Sequence, residues 1–132
     1  AQSTGSAVSR GHQSPPSTGA SELMMTSAKG SQTFDQMLEQ MGDGYVVNSV
    51  MGAHTANPTS GDFSVTTSSI LRVVGGEIIG PLKQAGLSGN LAKALAGNVV
   101  LGDDVRRQGS YSSGSMHLPD VLLMEGLRVN PA

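Results

Sequence analysis

The chain of 132 residues has no cysteine and no tryptophan, and aromatic residues make up only 3% of it. Without cysteine there is no disulfide framework and no thiolate ligand for a metal. Charged residues are also sparse, at 14%, and the formal net charge is −2. The eight Lys and Arg are scattered, with only Arg106 and Arg107 adjacent. An electrostatic binder of nucleic acid needs a basic patch to neutralise phosphates, so the composition argues against that class. No apolar run approaches the ~20 residues of a membrane-spanning helix, and the first residues lack the charged-then-apolar order of a signal peptide. The expected location is the cytoplasm, with no membrane partner.

What is present is glycine, 18 residues of it, seven methionines and many Val, Leu and Ile. A core of this size ordinarily holds more large rings. Two readings fit: a small methionine-rich core, or a chain whose apolar surface packs against something else. The length suits one domain, residues 1–132.

Residues 1–20 are Ser, Gly, Thr and Pro with almost no large apolar group, and are expected to be flexible or extended. Residues 22–26 form a short apolar run, expected as a strand. A helix follows. Thr33 is placed as its N-cap and Gln36 completes a capping box. Asp35 suits the positive end of the dipole. Phe34, Met37, Leu38 and Met41 share one face, expected to be core, and Gly42 ends the helix. A strand is expected from Gly44 to Met51. Another, over residues 63–74, alternates in its first half. Gly75-Gly76 then joins it to Glu77-Ile78-Ile79, the pattern of a hairpin whose turn needs positive φ at both central positions. Pro81 stops that strand or leaves it at an edge.

A second helix is expected over residues 88–96, with Ser88 as cap and Gly97 as terminator. A short strand over residues 98–101, a polar loop over residues 102–115 and a final strand over residues 121–129, interrupted at Glu125-Gly126, complete the order. The fold class is α+β, mainly an antiparallel sheet or a barrel-like domain with two short helices.

The chemistry-bearing candidates are few. His54, Asn57, Pro58, Gly61 and Asp62 share the loop between two strands, and a His and an Asp eight residues apart suit either a site or a connector. The three histidines, His12, His54 and His117, are far apart in sequence, and none has a second His within two helical turns. A zinc site needs three or four ligands, usually two of them at short spacing. No GxSxG, GxGxxG or GxxxxGK[ST] pattern occurs. Asp103-Asp104 reads as a solvated loop end, and Asn57 and Asp62 as turn-forming residues. His117 is expected on a surface strand edge. No catalytic or metal-binding residue is assigned.

The order of features resembles the C-terminal domain of the TldD/PmbA family of metalloproteases. Gly42-x-Gly44-Tyr-Val-Val47 precedes Val50-Met51-Gly52. Asn57-Pro-Thr-Ser-Gly-Asp-Phe-Ser64 follows, then Gly76-Glu77-Ile78 with Pro81, Ser88-Gly-Asn-Leu91 and Gly102-Asp-Asp104. The resemblance covers nearly the whole chain. It implies a family in which one subunit type carries an HExxxH helix, and a Cys in its C-terminal domain completes the zinc site. This chain has neither. It is similar to the other type, PmbA or TldE, whose complex with a TldD-like subunit acts on unfolded peptides. The implied role is a non-catalytic domain of a zinc metalloprotease complex, without a cofactor of its own, in a homodimer or a heterodimer with a catalytic TldD-like subunit. The alternative is a stand-alone interaction or structural module. The 57–62 loop and the Gly75-Gly76 turn are then structural or interface features. The family was once labelled a modulator of DNA gyrase, and nothing in this sequence supports DNA binding.

Overall fold

The computed structural model describes all residues except 1, 4, 10, 20, 21, 112, 113 and 132, with the side chains of residues 108–114 also left aside. In chain order the strands are β1 (Ala7–Val8), β2 (Ser17–Thr18), β3 (Glu22–Met24), β4 (Gly44–Met51), β5 (Asp62–Val74), β6 (Glu77–Leu82), β7 (Ala85–Asn90), β8 (Val99–Leu101), β9 (Val105–Tyr111), β10 (Gly114–Pro119), β11 (Leu122–Met124) and β12 (Arg128–Pro131). Helix α1 (Phe34–Met41) precedes β4, and α2 (Leu91–Ala96) follows β7. The fold is α+β, built from open, mostly antiparallel sheets rather than a closed barrel.

The 13-residue strand β5 organises the main sheet. β4 runs antiparallel along one of its edges. β6 and β7 share the other edge, β6 on the C-terminal half and β7 on the N-terminal half. Ile70 pairs with Leu82 and Thr67 with Ala85, three residues on in each strand, so the register of β6 carries unchanged into β7. The two are one long strand interrupted at Lys83-Gln84. β12 then pairs with β7. Pro81 lies in β6 opposite Leu71. Among the described strands β6 pairs only with β5, so the proline, which has no N–H to donate, sits on an edge strand.

The core follows β5. Val65, Thr67, Ile70 and Val73 are buried there, with Leu87 and Ala85 of β7 and Met37 and Leu38 of α1. Strict alternation would bury only every second residue, but the β4–β5 ladder shifts register twice between Val47 and Val50. The shifts leave Asn48 and Ser68 as extra, bulged residues, and beyond Ser68 the inward series resumes at Ile70. Thr67 is fully buried, at 0% exposure. Its hydroxyl donates to the Ala85 carbonyl at 3.1 Å and accepts from the Ala85 amide at 3.0 Å. This clasp closes the ladder where β6 passes into β7. Thr67→Val keeps the shape but orphans both groups, so a loss of about 1–3 kcal/mol is expected. Urea melts check it, and an unchanged midpoint would show that the clasp contributes nothing.

α1 forms as its sequence dictates. The Gln36 amide donates to the Thr33 hydroxyl at 3.3 Å, and the Thr33 amide to the Gln36 side chain at 3.0 Å. Gly42, at φ 64°, terminates it, donating to the Leu38 carbonyl at 3.1 Å. Met37 and Leu38 are buried, but Phe34, expected in the core, is exposed.

Three other expectations are corrected. The second helix begins at Leu91, not residue 88, because Ser88 is paired on both sides within β7, to Ser64 and Arg128. Residues 102–115 are not a loop: β9 and β10 form a hairpin there, with residues 112 and 113 outside the described residues. The final strand is two, β11 and β12, in different sheets, with Gly126 at φ 81° between them. Within residues 1–20, expected to be flexible or extended, the described part holds a two-residue ladder of extended chain, β1 with β2.

Candidate functional site

The loop from Gly52 to Asp62 joins β4 to β5. Gly52 adopts φ 87° and opens a single 3₁₀ turn, Ala53–Thr55. The Thr55 hydroxyl closes it on the Gly52 carbonyl at 2.7 Å. His54 lies on this turn, exposed, with no hydrogen-bond partner among the described residues.

Asn57 folds the next segment. Its side-chain oxygen accepts from the amides of Thr59 at 2.9 Å and Ser60 at 3.1 Å, an Asx turn with Pro58 pre-set at its second position. Its own amide donates to the Asp62 carbonyl at 2.9 Å, and its carbonyl accepts from the Gly61 amide at 2.8 Å. Gly61 sits at φ 78°, where a side chain would be strained and would press on Ala92.

Asn90 fastens this loop to α2. Its amide group donates to the Ser60 carbonyl at 2.8 Å and to an Asp62 carboxylate oxygen at 2.7 Å. Its oxygen accepts from the Lys93 amide at 3.0 Å, as N-cap of α2. The hydrogen bonds from Asn90 and then Ser60 outweigh desolvation and, with a smaller contribution from the charge of Lys93, hold the Asp62 carboxyl below the usual carboxylate range. A depressed carboxyl stabilises the fold at neutral pH, and that contribution fades as pH falls through the lowered range. One asparagine thus serves both the loop and the helix cap. Asn90→Ala is expected to cost about 1–2 kcal/mol, the worth of a cap. Hydrogen exchange should quicken in α2 and at Thr59 and Ser60 together; quickening in α2 alone would show that the loop stands without it.

The structure therefore brings Asn57, Pro58, Gly61 and Asp62 into one turn and leaves His54 outside it. The sequence analysis names Asn90 only within the Ser88-Gly-Asn-Leu91 segment and misses its tether to Asp62, 28 positions before it, and its role as the cap. Only its place before a helical run signals it.

Two further titratable pairs are engaged structurally. His117, expected at a strand edge, lies on β10, the middle strand between β3 and β9. Its side chain is 28% exposed, and its Nε2 lies 2.9 Å from Glu22 Oε1 on β3. Asp104 is paired with Arg106, whose Nε donates at 2.8 Å and lowers the carboxyl's pKa. Two surface recesses among the described residues, one lined from within residues 2–18 and one from within residues 25–119, have no ionisable side chain among their lining residues.

The donor set does not fit a zinc ion. There is no cysteine. Among the described residues no three His, Asp or Glu side chains are grouped to hold a metal. No helix among them is long and apolar enough to cross a membrane.

Comparison with known proteins agrees with the family resemblance. The family model of the PmbA/TldA metallopeptidase C-terminal domain matches residues 1–130. Metalloprotease PmbA of Escherichia coli O157:H7 is 34% identical over 89 residues, 67% of this chain and 19% of that protein. An uncharacterised protein of Methanocaldococcus jannaschii is 32% identical over 114 residues, 86% of this chain and 25% of that protein. The chain thus spans between a fifth and a quarter of the length of these relatives. Among solved structures, a Thermotoga maritima protein described as a modulator of a DNA gyrase superposes with TM-score 0.65 at 28% identity, over 84% of this chain and 24% of that one. TldE from Thermococcus kodakarensis shares the fold, with TM-score 0.72 at 20% identity, over 98% of this chain and 28% of that one. On the match over residues 1–130, the chain belongs to the PmbA/TldA metallopeptidase C-terminal domain family.

Proposed function

We propose that this chain is a non-catalytic, PmbA- or TldE-like domain of a cytoplasmic zinc metalloprotease complex acting on unfolded peptides, with zinc held by a catalytic TldD-like partner subunit. One observation carries the reading. A metallopeptidase family domain matched over residues 1–130 brings no three metal-binding side chains together among its described residues. What the domain offers instead is surface. Among the described strands β4 pairs only with β5, so its other edge presents unpaired backbone groups along eight residues. Such an edge takes up an extended peptide or a partner strand. Exposed Val74, Ile78 and Ile79 beside the Gly75-Gly76 turn, and Met51 at the end of β4, supply apolar contact area.

The expected result is that the isolated chain, dialysed free of chelator and supplied with zinc, retains well below one equivalent and cleaves no unfolded polypeptide. Sedimentation should find it as a homodimer, or in a heterodimer when co-expressed with a TldD-like subunit. One tightly held zinc per chain, or hydrolysis by the chain alone, would overturn the non-catalytic assignment. A monomer that forms no complex would instead favour a stand-alone interaction or structural module.

A further inference from the structure

We draw no further inference here: the strongest candidate, the exposed apolar patch of Val74, Ile78 and Ile79 on the β5–β6 hairpin, carries nothing beyond the association already proposed, because nothing in the structure shows what covers it.

Discussion

Replacing Gly76 by valine is expected to destabilise the chain by about 2–5 kcal/mol, well beyond the same change at Gly75. Both glycines have positive φ, 57° and 81°, as the turn between β5 and β6 demands. In that region a side chain with a Cβ costs roughly 1–2 kcal/mol. At Gly75 that strain is the main penalty, since nothing lies within 4 Å of the new Cβ. At Gly76 the Cβ would meet the backbone of α1, 3.3 Å from Glu39 Cα and 3.4 Å from the Leu38 carbonyl oxygen. Backbone atoms yield little, so overpacking adds about 1–3 kcal/mol. The turn is also tied down: the Gly76 amide donates to the Gly42 carbonyl at 2.7 Å, and the Gly75 amide to Asp43 Oδ1 at 2.8 Å. A hairpin pinned in this way cannot swing aside to relieve the clash. His54→Ala, on an exposed turn, should stay within about 0.5 kcal/mol of the parent. Urea midpoints should therefore fall in the order His54→Ala, Gly75→Val, Gly76→Val. Equal losses at the two glycines would remove the contact with α1, and equal midpoints for all three variants would remove the turn itself.

Local signals carried most of the elements into view. The capping box at Thr33 and Gln36, the terminator Gly42 and the Gly75-Gly76 turn each rest on chemistry within four residues, and each is found as the sequence implies. The misreadings arise where a distant partner decides. Ser88 resembles a helix cap, yet its place is fixed by Ser64 and Arg128 on two neighbouring strands. Residues 102–115 look like a loop because Gly and Ser weaken strand propensity, and pairing between β9 and β10 overrides that. Phe34 satisfies the helical stripe yet is 38% exposed, because a stripe fixes which residues share a face and not how much of it is covered. In the candidate site, Asn57 and its turn are legible from Asn-Pro and the nearby glycine. The tether from Asn90 and the Glu22–His117 pair are not, because 28 and 95 positions of sequence separate the partners.

Ile70→Ala and Ile79→Ala should separate folding from association. Ile70 is 1% exposed on β5, opposite Val47 of β4 and Leu82 of β6. Truncation there removes three buried carbons and leaves a cavity bounded by strands on both sides, so a loss of about 2–5 kcal/mol is expected. A domain of this size is stable by only about 5–15 kcal/mol, so the variant should sit near its unfolding threshold at growth temperature. Ile79 is 64% exposed. The β5–β6 register shifts between Arg72 and Val73, which pair with Gly80 and Ile78, leaving Ile79 as the unpaired residue of a bulge. Bulges re-aim side chains, and at this one the isoleucine is left exposed. Its truncation touches no core, so the denaturant midpoint should stay within about 0.5 kcal/mol of the parent. If Ile79 lies on the association surface, Ile79→Ala should instead weaken the dimer, by about tenfold where the side chain is a central contact worth some 1.4 kcal/mol. Sedimentation over a concentration series reads that change, and thermal melts read the other. An Ile79 variant that melts like the Ile70 variant would place the residue in the core. One that associates like the parent would move the interface elsewhere, with the free edge of β4 as the next surface to test.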